Sequence, residues 1–321
     1  LASTLALEHI RRQAPQHGWD MVAALMDSPP GAYFNLMLPV LAATSISYCA
    51  HSFEHKGKCD VLPSTPSGSF SGGGHWEPLP ELEVDSREGG IHALPFVDHG
   101  AKRAIIAFRG SCMEHEHKEC RADACVLDRW QTQGAWSRLV FGNEDANSCW
   151  SFSAAQLDYL AQAENVTTRI QQRLPGYAVL LVGHSLGGFL SMLTAMKQPE
   201  TLQALTFSPS PFHTAALQSL GLTEDQLDSL AGTANRVALG DPYDLIVNTI
   251  EVPLARKGTL SCVYDDWDAV EPTECKYANQ MLKDRMIMPI EFPFLAICKK
   301  AAHNWDRYTR LIQQRKANNV T

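Results

Sequence analysis

The chain has 321 residues and a mass of 35.4 kDa, with 45% hydrophobic residues, 19% charged residues, a formal net charge of −8 and a pI near 5.8. That length can bury a large apolar core. The acidic balance excludes nucleic acid as the main partner, because phosphate contacts need a basic stripe that neither Arg11-Arg12 nor Lys299-Lys300 supplies.

The chain opens on Leu1 with no charged-then-apolar leader, so any signal peptide is expected to have been removed. Residues 28–50 carry no charge and have the length of a membrane span, but Pro29, Pro30, Asn35, Pro39 and Ser45 break them. A helix buried in a soluble domain is expected there, with no transmembrane segment. Residues 57–90 are rich in Pro, Gly and Ser and read as a loop-rich excursion inside one domain spanning 1–321. Residues 91–98 and 103–108 follow, joined by Asp98-His99-Gly100, and form a hairpin whose second arm holds the apolar run AIIAF. Residues 112–149 are long, polar and cysteine-bearing, and read as a lid-like cover stapled through some of Cys112, Cys120, Cys125 and Cys149. Within them His115-Glu116-His117 has the look of a chelating triplet, but a solvated charged loop is the simpler reading, and no metal or cofactor is expected.

Residues 153–174 set Leu160, Ala163, Val166, Ile170 and Leu174 on one helical face and stop at Pro175-Gly176. Asn165 then points to the opposite side, toward solvent. Asn165-Val166-Thr167 and Asn319-Val320-Thr321 are glycosylation acceptor patterns. The runs at 177–182, 204–207 and 236–239 are continuous instead of alternating, as strands buried on both faces are. A helix over 186–197 and a capping box at Thr223–Gln226 fall between them. Strand–helix alternation of this kind predicts an α/β fold with a mostly parallel central sheet and helices on both faces. Nine cysteines, with 49 near 59, 120 near 125 and 262 near 275, suggest disulfides and an oxidising, extracellular setting. The odd number leaves one thiol free or bonded to another chain.

The most informative stretch is LLVGHSLGGF at 180–189. Gly183-His184-Ser185-Leu186-Gly187 fits G-x-S-x-G between a strand and a helix of good formers. In that setting the glycines permit a sharp turn that holds the serine in a strained conformation with its hydroxyl exposed at the sheet end. A serine hydroxyl is a poor nucleophile without a base, and the base needs an orienting acid. With the order Ser, acid, His, only His213 and His303 among twelve histidines follow Ser185, and only His303 leaves room for an acid between. Asp241 and Asp244 both follow the 236–239 strand; Asp241, directly past it in Gly240-Asp241-Pro242, is the better placed. Two donors are needed for an oxyanion, and the N–H groups of Leu186 and of Ser111, after the Gly110 turn, fit that need.

The set SISYCA (45–50), FRGS (108–111), GHSLGG (183–188), TFSPSPF (206–212), GDPYD (240–244) and a late histidine resembles the class 3 lipases, the fungal triacylglycerol-lipase type of α/β-hydrolase. The resemblance implies a triad of Ser185, Asp241 and His303, with Ser111 as the oxyanion donor after FRG. It also implies a disulfide from Cys49 to Cys298. The implied activity is secreted hydrolysis of carboxylic esters, with an ester substrate and transient contact with a lipid interface. The chain departs from the family at 112–149, where a tryptophan–aspartate stretch usually stands, and at Pro242-Tyr243-Asp244 in place of valine and proline. Feruloyl, phospholipid or polyester hydrolysis, acyl transfer, and a non-catalytic lipase-like scaffold are the competing readings. The apolar run 286–295 before His303 is a candidate acyl pocket or simply core.

Overall fold

A computed structural model of the protein describes residues 39–44, 46–47, 76–84, 89–111, 118–131, 149, 151–198, 201–209, 236–240 and 259–263. Seven strands form one sheet in chain order: β1 (Glu77–Pro78), β2 (Ala93–Asp98), β3 (Arg103–Phe108), β4 (Ala178–His184), β5 (Leu202–Phe207), β6 (Arg236–Gly240) and β7 (Thr259–Val263). The first two pairings are antiparallel and those from β3 to β7 are parallel. Besides helical residues near the start and a short 3-10 turn at Pro80–Leu82, the described residues include helices α1 (Lys118–Gln131), α2 (Ala154–Leu157), α3 (Tyr159–Arg173) and α4 (Leu186–Lys197). The architecture is that of an α/β-hydrolase fold.

The expected hairpin is β2–β3, in register from Ala93↔Phe108 to Asp98↔Arg103. Its turn is held by the Asp98 carboxylate, which accepts the Ala101 N–H at 3.0 Å. Part of the 57–90 excursion is less loop-like than its composition suggests. β1 adds to the sheet edge, where Pro78, which lacks a donor, is tolerated. Val84 makes a further bridge to Ala93.

Burial explains why the parallel strands read as unbroken apolar runs. Ala104, Ile106 and Phe108 on β3 share a face with Val179 and Leu181 on β4 and with Leu202 and Ala204 on β5. That face packs in one cluster with Leu160, Ala163, Val166 and Ile170 of α3 and with Phe189, Leu190 and Leu193 of α4. The alternate residues, Ile105, Leu180, Val182, Leu205 and Phe207, are equally buried, so the sheet is covered on both faces. The single helix expected over 153–174 is broken in two. Ser153 forms a capping box with Gln156, and Asp158 ends α2 and caps α3 by accepting the Ala161 N–H. Gln162 clamps the break by donating to the carbonyls of Ala155 and Gln156. Asn165 is exposed, as its position opposite the apolar stripe predicts.

In the apolar stretch near the start, residues 39–44 and 46–47 are helical, with Val40, Leu41, Ala43, Thr44 and Ser47 buried. Among the described residues no helix is long and apolar enough to cross a membrane. The Thr223–Gln226 capping box, His115, His117 and residues 286–295 lie outside the described residues.

Candidate active site

Strand β4 ends at His184, α4 begins at Leu186, and Ser185 alone makes the turn, with φ 56° and ψ −120°. A non-glycine residue there carries backbone strain of about 1–3 kcal/mol, kept only where the surroundings fix it. Two hydrogen bonds do so. The Ser185 N–H donates to the Phe207 carbonyl at the end of β5 (3.1 Å), and the Ser185 carbonyl accepts from the Phe189 N–H (3.0 Å).

The flanking glycines are required by close approach. A Cβ on Gly183 would lie 2.4 Å from the Gly187 carbonyl carbon, so the first turn of α4 rests directly on the end of β4. A Cβ on Gly187 would lie 2.0 Å from the Phe108 carbonyl oxygen and 2.7 Å from that of Arg109. The start of α4 is therefore pressed against the chain leaving β3. This is the G-x-S-x-G turn in its strand-to-helix setting. Ser185 as a whole residue is 6% exposed.

The FRGS segment lies beside this turn. Phe108 pairs with Gly183, the Phe108 and Arg109 carbonyls lie against Gly187 of α4, and Gly110 and the half-buried Ser111 follow in the chain past the sheet edge. Leu186 is the first residue of α4, where a backbone N–H has no intrahelical partner and the helix dipole favours negative charge. Strand β6 ends at Gly240, one residue beyond Leu239, which pairs with Phe207. The chain thus leaves β6 toward Asp241 at the same carboxyl-end edge that carries Ser185. In open parallel sheets that edge is where ligands bind. Asp241, Asp244, His213 and His303 themselves lie outside the described residues.

One cluster beside the site escaped the sequence reading. The Arg109 guanidinium is 3.6 Å from the Asp123 carboxylate, with side chains 8% and 3% exposed. The Tyr159 hydroxyl donates to Asp123 at 2.7 Å. Burial, and then the Asp123 charge, push the Tyr159 hydroxyl well above the usual tyrosine value, so it stays protonated and a donor. Asp123 sits on α1, inside the 112–149 segment read from sequence as a lid-like cover with no helix assigned to it. The signal available was the run Cys120, Ala122, Asp123, Ala124, Cys125 and Val126, all buried, in which one carboxylate stands among small apolar residues.

The staple expected within 112–149 is present, though not between the two cysteines nearest in sequence. Cys125 is bonded to Cys149, not to its near neighbour Cys120, which is itself disulfide-bonded. Helical spacing explains why. Residues five apart on a helix do not stack on one face, whereas 24 residues of chain return Cys149 to within a Cα–Cα distance of 5.6 Å. The expected pairing of Cys49 with Cys298 lies outside the described residues, as do Cys59, Cys112 and Cys275 and the side chain of Cys262.

A family model described as the alpha/beta hydrolase fold matches residues 123–287, just over half of the chain. Among solved structures, the chain is similar to the Lip2 lipase of Yarrowia lipolytica, at 14% identity over 75% of this chain and 81% of that one, with a TM-score of 0.40. It is also similar to the mono- and diacylglycerol lipase of Aspergillus oryzae, at 15% identity over 71% and 77% of the two chains, with a TM-score of 0.37. A mutant form of MDLA from Penicillium cyclopium matches at 15% identity over 70% and 75%, with a TM-score of 0.38. Curated protein sequences give no match.

Proposed function

The chain belongs to the alpha/beta hydrolase fold family, and on that premise we propose that it is a secreted serine hydrolase of carboxylic esters, of the lipase type, built as a single domain. The observation that carries the reading is Ser185 held at φ 56° between a buried strand and a helix N-terminus, which the G-x-S-x-G chemistry requires. The Ser185 hydroxyl attacks the ester carbonyl carbon while His303, oriented by Asp241, accepts its proton. The carbonyl π electrons move onto oxygen, and the N–H groups of Leu186 and Ser111 stabilise that oxyanion. The tetrahedral adduct collapses, and the alcohol leaves with the proton from His303. Water, deprotonated by His303, then attacks the acyl-serine, and the acid departs as Ser185 recovers its proton. No step calls for a metal or cofactor. The disulfides and the exposed Asn165 in its acceptor triplet support an extracellular setting.

The substrate is an ester presented at, or in transient contact with, a lipid interface. Residues 112–149 act in this reading as a fixed cover, supported by α1, whose residues Cys120 to Val126 apart from Arg121 are buried and whose Cys125 is stapled to Cys149. The test is hydrolysis of a panel of p-nitrophenyl, triglyceride, feruloyl and phospholipid esters by the parent chain and by Ser185→Ala. Loss of more than about a thousandfold in kcat, with unchanged thermal unfolding, is expected of the variant. Retained hydrolysis excludes Ser185 as the nucleophile, and the preferred ester names the class.

A further inference from the structure

Arg109 follows the last residue of β3 and precedes the Gly110-Ser111 turn, and it is fixed at both ends. Its N–H donates to the His92 carbonyl at 3.0 Å, extending the β2–β3 ladder one step past the strand. Its guanidinium pairs with Asp123 of α1, and Asp123 accepts from Tyr159 at the start of α3. Beside it, Ile91 on the approach to β2 donates its N–H to the Gln162 side chain of α3 at 3.0 Å. Four segments distant in sequence are thereby tied at Arg109: the approach to β2, the exit of β3, α1 and α3.

A buried ion pair is an expensive way to gain stability, since an apolar pair of like volume often serves as well. Its distinctive effect is directional. The Phe108 and Arg109 carbonyls lie against Gly187 in the first turn of α4, and Gly110-Ser111 follow Arg109 directly in the chain, so a displacement of Arg109 carries those two residues with it. Resting on the ester-hydrolase reading above, we propose that Arg109, Asp123 and Tyr159 are positioning residues that fix the Gly110-Ser111 turn against the α4 N-terminus and so aim the Ser111 N–H at the oxyanion. Such a donor acts only when preorganised, and a misplacement of about 1 Å costs on the order of a hundredfold in rate. The same contacts bind α1, the first helix of the 112–149 segment, to the site.

The experiment compares kcat and KM on p-nitrophenyl butyrate, and inhibition by an alkyl boronic acid as a tetrahedral mimic, for the parent and two variants. The double variant Arg109→Met with Asp123→Leu replaces the ion pair by apolar side chains. It is expected to unfold at or above the parent temperature, with kcat reduced about a hundredfold, KM within about twofold, and boronate affinity reduced by the same factor as kcat/KM. A folded double variant with parental kcat and boronate affinity overturns the proposal. Should that variant fail to fold, Tyr159→Phe, which removes one hydroxyl and keeps the ring, decides. A several-fold fall in kcat at constant KM supports the proposal, and parental kcat overturns it. A parent chain that hydrolyses no ester overturns the ester-hydrolase reading and this proposal together. An active parent, silenced by Ser185→Ala but indifferent to the network variants, overturns this proposal alone.

Discussion

Gly187→Ala separates the close approach at the serine turn from ordinary helix energetics. Gly187 is the second residue of a helix, where Gly→Ala ordinarily stabilises by up to about 1 kcal/mol. Here the new Cβ would lie 2.0 Å from the Phe108 oxygen and 2.7 Å from the Arg109 oxygen, against a usual carbon–oxygen contact of about 3.3 Å. Both obstacles are backbone, so no rotamer change relieves them. The first turn of α4 and the exit of β3 must separate by about 1 Å, an overpacking cost of about 1–3 kcal/mol that cancels and exceeds the propensity gain. At an unfolding entropy of about 2.1 cal/mol/K per residue, a net loss of about 2 kcal/mol lowers Tm by about 3 °C for a chain of this length. If Ser111 and Leu186 hold the oxyanion as proposed, the same separation disturbs their alignment, and kcat should fall about a hundredfold with KM little changed. Gly176→Ala is the control. It has open space around the new Cβ but φ +79°, so it should cost about 1 kcal/mol and leave kcat untouched. Thermal unfolding and hydrolysis of p-nitrophenyl butyrate provide both readouts. A Gly187→Ala chain with raised Tm and parental kcat would refute the packing of α4 on β3.

Three further outcomes are expected. Replacing Cys125 and Cys149 by serine opens a loop of 24 residues' separation and should cost about 3.5 kcal/mol by chain entropy; an unchanged denaturant midpoint would show that α1 is held without it. Because the Tyr159 hydroxyl is raised by burial and Asp123, its unfolded form ionises first, near pH 10, and its contribution to stability is full below that pH and lost as pH rises above it. Urea midpoints between pH 9 and 11 should therefore decline less steeply in Tyr159→Phe than in the parent, and identical slopes would contradict this. With 112–149 as a fixed cover, activity should rise smoothly as an ester passes its micelle threshold, and a sharp jump there would count against a fixed cover.

The sheet was legible because its parallel strands are buried on both faces. AIIAF, YAVLLV and ALTF hold no charged residue and lack the polar alternation of a half-exposed strand, and they fall in or within one residue of β3, β4 and β5. The serine turn was legible because close backbone approach admits only glycine at 183 and 187, which leaves a fixed spacing in the sequence. Strand β7, TLSCV, has too few apolar residues to stand out, and β1 is two exposed residues that exist only as an edge pairing. Helix α1 was hidden by its composition, since Lys118, Glu119, Arg121 and Asp128 mask a buried face made of small side chains and one carboxylate. Asp123 could not be assigned from local sequence at all. Its partners, Arg109 and Tyr159, are 14 residues before it and 36 after, and only the fold brings them together.

A fluorophosphonate probe, which reacts with an activated serine hydroxyl, tests most directly the proposal that Ser185 is the nucleophile. Peptide mapping should find one label per chain, on Ser185, absent from Ser185→Ala and formed far more slowly in His303→Ala. A label on another residue, or none, together with undiminished ester hydrolysis by Ser185→Ala, would contradict it.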